Sequence, residues 1–343
     1  MKRKVSAVAL ISTLLTLALA VTLLVDSVSA NFMPLNIPSH SIEITADGNV
    51  TGTDNIKRDG TNYEFTASVS GSIVVFCDNI TIIGNGHSLM GNGGSTGVFL
   101  EGRQNTTIKN LTISNFEHGI ICSYYRNMYS SSPDYSADSD CKNNVLIANN
   151  IINNKWGVYC YFAQNITISG NVISNNSEIG ISTFDSGEIQ IYGNTLSENN
   201  VAARFTNCDN SNVYGNNFIN NANQTNVDPE SNSGLNFGWS TISWNNGRVG
   251  NFWSNYKGTD VNKDGVGDTP FIIDNKNTDR YPLMVPLTVP QPEKPQTEPF
   301  PTALVIAIVI LVAIATIVLA VIICAGLLVY LKKRKQVKLD GYE

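Results

Sequence analysis

Asparagine recurs on a fixed beat through the middle of this chain, and that beat leaves few folds open. Four copies of one phrase, Asn144–Asn154, Asn165–Asn176, Glu188–Asn199 and Asn212–Asn221, align so that Asn149, Asn171, Asn194 and Asn216 coincide, at offsets of 22, 23 and 22 residues. Looser copies precede them at Asn79–Asn85 and Thr106–Ile113. A period of this length signals a solenoid. Leucine-rich repeats share the period, but their leucines at fixed offsets are missing here. Each copy instead holds short alternating runs, such as Ile166-Thr167-Ile168 and Val172-Ile173, broken by Gly-Asn or Asn-Asn. Alternation of β-branched residues predicts strands, and Asn and Gly at the breaks supply turns and left-handed positions. Each repeat therefore reads as one coil of an all-β parallel β-helix, its coils stacked about 4.8 Å apart. One coil cannot bury its own apolar side, whereas a stack makes a continuous Ile/Val core. Asparagines at one place in successive coils would bond amide to amide up the stack, so they are expected to be structural rather than ligand-binding.

These phrases, over roughly Ser72 to Asn221, resemble the right-handed parallel β-helix (PbH1) repeats of the archaeal NosD-like family and of many carbohydrate-active proteins with a pectin-lyase-like fold. Right-handedness is implied by that resemblance alone. The piece from Gly234 to Leu287, which includes Gly250-Asn251-Phe252-Trp253-Ser254-Asn255-Tyr256, resembles the segment that closes the helix in NosD-like surface proteins. Trp239, Trp244, Trp253 and Phe252 are expected to cover the open core of the last coil, since an uncapped stack exposes both a core and a strand edge. Ser41–Ser70, with its Asp-Gly turns and the run Tyr63–Ala67, is expected to cap the other end as strands and hairpins.

The two chain ends predict an exported protein. Lys2-Arg3-Lys4, the apolar run Val5–Val25 and the small residues before Asn31 resemble a secretory signal peptide; an uncleaved anchor is the other reading. Thr302–Leu331 holds no charged residue, and about 20 apolar residues suffice to cross a bilayer as a helix. Lys332-Lys333-Arg334-Lys335 follows, and such residues stay in the cytoplasm. The expected organisation is a signal peptide over 1–30, an N-terminal cap over 31–71, coils over 72–233 and a C-terminal cap over 234–287. A proline-rich stalk over 288–301, a transmembrane helix over 302–331 and a cytoplasmic tail over 332–343 complete it. That predicts a single-pass cell-membrane protein with its large domain outside. Sequons at Asn49, Asn79, Asn105, Asn110, Asn165, Asn175 and Asn223 suit such a surface. A formal net charge of −6 argues against nucleic acid as a partner.

Departures from the repeat carry the candidate sites. Gly119, Gly157, Gly180 and, less well, Ala202 align as strand starts, which places Glu117, Lys155, Glu178 and Asn200 in one column. That column reads either as a solvated ladder or as a polar groove gripping a chain molecule. Between Ile121 and Val145 the period breaks, and Tyr124–Tyr135 is extra. Loops on a rigid solenoid are where binding concentrates, so Tyr125, Arg126, Tyr129 and Tyr135, with nearby Trp156, are the candidate sugar-stacking residues. Cys122 and Cys160 share an offset and are expected to stack on neighbouring coils; Cys122 and Cys141 could instead clip the extra loop. No CxxC or CxxH spacing supports a soft-metal site, and His40, His87 and His118 are scattered. Asp260, Asn262, Asp264 and Asp268, with Gly265 among them, match the start of a calcium loop. Its twelfth place is Phe271 rather than an acid, Asp274 being the substitute; a plain Gly-Asp turn is the alternative.

Three functions follow. The leading expectation is a non-catalytic surface protein that binds glycans or serves the cell envelope. The second is a polysaccharide lyase or epimerase acting on uronate-containing glycans, for which Glu117, Lys155, Glu178, Asp185 and Arg204 could supply a groove. The third is copper handling, implied by the NosD resemblance, although no run rich in His or Met is present.

Overall fold

The computed structural model describes residues 41–123, 141–228, 240 and 242–289, and the account below concerns these. All belong to one compact unit, Met1–Glu293. The signal-peptide region, the extra loop with Tyr125, Arg126, Tyr129 and Tyr135, Trp239, and the predicted membrane span at 302–331 lie outside the described residues. Among the described residues no helix is long and apolar enough to cross a membrane.

The chain coils as three parallel sheets. The first runs from Ile42–Ile44 through Ile73–Val75, Thr96–Glu101, His118–Ser123, Trp156–Tyr161, Ile179–Phe184 and Val201–Thr206 to Asn223–Asp228. The second contains Asn62–Phe65, Thr81–Ile83, Thr107–Lys109, Val145–Ile147, Thr167–Ser169, Gln190–Tyr192 and Ser211–Tyr214. The third contains Ser88–Met90, Thr112–Ser114, Asn150–Ile152, Val172–Ser174, Thr195–Ser197 and Asn217–Ile219. Alternation decides what goes inside. In Thr167–Ser169 and its neighbours the middle residue points inward, so Ile82, Ile108, Leu146, Ile168, Ile191 and Val213 form one buried column. Ile42, Tyr63 and Val69 already head the three sheets. The first coil thus begins ahead of Ser72, with the hairpin Ile56–Asp59 to Asn62–Phe65 folded onto it.

Corners need backbone that turns left. Asn105, Asn143, Asn165, Glu188 and Asn210 adopt positive φ at one corner, and Asn115, Asn153, Asn175, Glu198 and Asn220 at another. At a third, Asn110, Ala148, Gly170, Gly193 and Gly215 share φ values of 51–64°. Asn and Gly tolerate this region, whereas a Cβ-bearing alanine is strained there by about 1–2 kcal/mol. Glycine's extra freedom in the unfolded chain offsets roughly 0.5–1 kcal/mol of any relief. Ala148→Gly is therefore expected to stabilise the protein by about 0.5–1 kcal/mol, seen as a higher melting temperature. An unchanged or lower value would count against this reading of the corner.

Inside two corners run asparagine ladders. Asn149, Asn171, Asn194, Asn216 and Asn251 form one, each Nδ2 donating to the Oδ1 of the next at 2.9–3.1 Å. The same Nδ2 groups donate to carbonyls of the preceding coil, at Ile108, Leu146, Ile168 and Ile191. Asn154, Asn176, Asn199 and Asn221 form the second. The structural reading of the asparagines is correct, and the second ladder doubles it. Where strand meets corner, a Cβ on Gly119 would lie 2.6 Å from the Gly157 carbonyl, and one on Gly180 equally close to that of Ala202; this column must stay nearly bare.

The C-terminal piece closes the stack. Trp244 and Trp253 are buried, and Trp253 lies flat on Phe218 at 4.4 Å and on Phe271 at 4.5 Å. The buried Asp279 carboxylate accepts from the Asn251 and Tyr281 backbones and from the Trp253 indole, ending the first ladder. Burial raises its pKa above the usual 3.8.

A candidate glycan-binding face on the first sheet

Successive residues of a strand face opposite ways, so the first sheet turns a second set of side chains outward. In the strand Trp156–Tyr161 these are Tyr159 and Tyr161, joined by Trp156 because the alternation breaks at the two consecutive buried residues Gly157 and Val158; all three rings are half-buried. In-register pairing sets His118 beside Trp156, and Phe184 beside Tyr161. The rings form one continuous surface. His118 lies 5.7 Å from both Trp156 and Tyr159, Trp156 is edge-on to Tyr159 at 5.5 Å, and Tyr159 stacks along Tyr161 at 6.0 Å. Phe184 continues the surface from Tyr161 at 5.5 Å.

Charge borders the rings on two sides. Lys155 Nζ lies 3.3 Å from Glu117 and 3.7 Å from Glu178, so the predicted column exists as an ion ladder beside His118 and Trp156. Its members are about half exposed, and pairs of this kind contribute roughly 0–1 kcal/mol. Beyond it opens a groove of about 740 Å³ that includes Lys155, Glu178, Asn92, Asn115 and Asn175. On the other side, Tyr159, Ser182 and Arg204 stand in register on successive coils, about 10 Å from first to last at the usual strand spacing. Arg204 pairs with Asp228 at 3.8 Å. The atom that makes this contact is Nε, near enough to the carboxylate for an ion pair but without a hydrogen bond among the described residues.

Two groups have shifted acidities. Burial lowers the His118 pKa below 6.5, helped by Lys155 and opposed by Glu117 and Glu178. Its imidazole is therefore neutral at neutral pH and able to take a proton. Burial raises the Tyr159 phenol above 10.0, with smaller contributions from Tyr161, Cys160 and Asp185, so it remains a proton donor.

Of the predicted site residues, Glu117, Lys155, Glu178 and Trp156 come together here, while the four from the extra loop lie outside the described residues. The loop Asp260–Asp268 folds around its own backbone. Asp260 accepts from the N–H groups of Asp264 and Gly265, and Asp268 from that of Val261. Phe271 is committed to stacking on Trp253, and Asp274 to the Lys276 and Asn277 N–H groups. Among the described residues no group of three or more His, Cys, Asp or Glu is placed to hold a metal ion. His118, Tyr159, Tyr161 and Phe184 were not singled out by sequence. The only signal for them was the alternation after Trp156, present in one coil and therefore invisible to a search for repeats.

The family model described as periplasmic copper-binding protein (NosD) matches residues 36–258, more than half of the chain. The chain belongs to the NosD family. Its architecture is accordingly the right-handed parallel β-helix of pectin-lyase type. No curated protein matches this NosD-family chain. Among solved structures it is similar to the periplasmic alginate epimerase AlgG, at 16% identity over 51% of this chain and 43% of that one, with a TM-score of 0.36. A point variant of AlgG matches at 19% identity over 46% and 37% of the two chains, with a TM-score of 0.37. The A-module of the Azotobacter vinelandii mannuronan C-5 epimerase AlgE6 matches at 13% identity over 52% and 54%, again with 0.37. The chain thus spans about half or less of these structures, and likeness at this level concerns the fold alone.

Two expectations are corrected. The expectation of a non-catalytic chain is withdrawn, because the family match establishes a β-helix and such a fold fixes neither catalysis nor its absence. The expectation of a single-pass cell-membrane protein is set against a family described as periplasmic; the span on which it rests, 302–331, lies outside the described residues.

Proposed function

We propose that the outer face of the first sheet binds a uronate-containing polysaccharide and abstracts a proton from the sugar carbon beside the carboxylate, as a lyase or epimerase. The observation that carries this reading is the ring surface of Trp156, Tyr159, Tyr161 and Phe184 with a neutral histidine set into it. Sugar rings present apolar C–H faces, and aromatic rings offer large flat area with a polar edge.

Deprotonation next to a carboxylate pushes an electron pair into that carboxylate, which then carries nearly two negative charges. A cation must meet the developing charge, and a dry, preorganised one is worth most. Arg204, oriented by its ion pair with Asp228, supplies that cation. His118 takes the proton. The electron pair then either expels the glycosidic oxygen at the neighbouring β-carbon, which is elimination, or collects a proton on the opposite face of the ring, which is epimerisation. Tyr159 supplies that proton in either case.

The full chain, incubated with polymannuronate, polyguluronate and polygalacturonate, tests the reading. Growth of the ultraviolet absorbance of an unsaturated uronate marks elimination, and exchange of the carbon-bound hydrogen with deuterated solvent marks epimerisation. Trp156→Ala should weaken polymer binding at least tenfold. Neither product nor exchange on any acidic glycan would sink the proposal.

A further inference from the structure

Four cysteines are fully buried around one corner of the stack: Cys122, Cys141, Cys160 and Cys208. Leu100, Cys122, Cys160, Thr183 and Phe205 stand in register as one inward column of the first sheet. Past the corner, Cys141 stands in register with Ala163. The bridges Gln164 to Gly187 and Gly187 to Asp209 extend that second column to Ser186 and Cys208.

The two columns touch across the corner, since Thr183 Oγ1 lies 3.0 Å from Cys208 Sγ. In the coil of Cys160, the residues meeting there are Cys160 and Ala163, with Tyr161 and Phe162 between them. In the coil above, Ser123 pairs with Tyr161 and Cys141 with Ala163, so the same corner falls between Ser123 and Cys141. Cys122 and Cys141 are therefore corner neighbours in one coil, although an extra loop separates them in sequence. Asn144 Nδ2 donates to Cys141 Sγ at 3.2 Å, and Cys141 and Cys160 are the thiols neighbouring Cys122.

We propose that Cys122 and Cys141 form a disulfide that closes the base of the extra loop, leaving Cys160 a thiol. The competing pair, Cys122 with Cys160, belongs to in-register parallel strands. Their Cβ atoms point the same way at about the strand spacing, whereas a cystine brings Cβ atoms to about 3.8 Å. Inward side chains across a corner converge. The bond also serves where it constrains most, because cross-linking the ends of a long loop restricts the unfolded chain. In the exchange each thiol gives up one proton and one electron. A small disulfide such as oxidised glutathione takes the two electrons and leaves as two thiols. Both sulfurs are sealed in the folded stack, so the bond forms while the corner is still open during folding.

The test is peptide mapping of the full chain refolded in a glutathione redox buffer, alkylated under denaturing conditions and digested without reduction. The expected result is one cross-linked peptide pair joining Cys122 to Cys141, with Cys77, Cys160 and Cys208 alkylated. The same pair should persist in Cys160→Ser. A link from Cys122 to Cys160, or alkylation of Cys122 and Cys141 together, would overturn the proposal.

Discussion

Replacing His118 with glutamine is expected to lower turnover on a uronate polymer by about 100-fold or more while changing polymer binding by less than threefold. Glutamine keeps a polar group against Trp156 and Tyr159 but cannot accept and hold a proton. Arg204→Ala should reduce both binding and turnover, because the carboxylate is engaged before and during the reaction. The pH profile adds a readout that a purely structural histidine would not move. Burial lowers the His118 pKa from 6.5, so the base form persists below pH 6.5 and the acid limb of activity should fall there rather than at it. Lys155 also lowers that pKa, while Glu117 and Glu178 raise it. Lys155→Met leaves the two carboxylates unopposed, and the acid limb should move to higher pH. A limb that stays in place would remove His118 from the role of base.

The largest stability loss is expected from Asn194→Ala. Asn194 Oδ1 accepts from both the backbone N–H and the side-chain Nδ2 of Asn171, and its own Nδ2 donates to Ile168 O, Tyr192 O and Asn216 Oδ1. Alanine leaves the buried Asn171 N–H without its acceptor, at about 1–3 kcal/mol, while Asn171 Nδ2, Tyr192 O and Asn216 Oδ1 each keep another partner. A total of roughly 2–4 kcal/mol follows once the cavity left by the amide is added. Asn223, exposed on the last strand of the first sheet, is the control; its replacement by alanine should stay within about 0.5 kcal/mol. Chemical denaturation of the two variants compares them, and equal midpoints would mean the ladder is decorative.

The coil and its ladders could be read from sequence because a stack repeats its own solution. The demand for an amide at the corner returns with every coil, so it leaves a periodic trace in Asn149, Asn171, Asn194 and Asn216. The column Glu117, Lys155 and Glu178 was legible for the same reason. The ring surface was not, because it is assembled once. Trp156, Tyr159 and Tyr161 come from a single strand, His118 and Phe184 from its two neighbours, and only parallel register brings them together. The acidic loop shows what composition leaves open. Asp260 to Asp268 carry the residue types of an ion loop, and their carboxylates also accept from backbone N–H groups that shape the turn. Composition cannot distinguish an oxygen that waits for a cation from one that already shapes a turn.

The ladder that ends at Asp279 also has a bearing on how such a molecule changes length. Each step of it joins one coil to the next through the same bonds, and of the ladder's members the terminal carboxylate meets the last, Asn251. A tandem duplication of a single coil, for instance residues 177–199, would restore every amide contact at both seams and leave the closing tryptophans undisturbed. Lengthening by whole coils is thus nearly silent to folding, while each added coil lays down another outward strand. Lineages carrying this scaffold can grow a longer surface in discrete steps without redesigning either end.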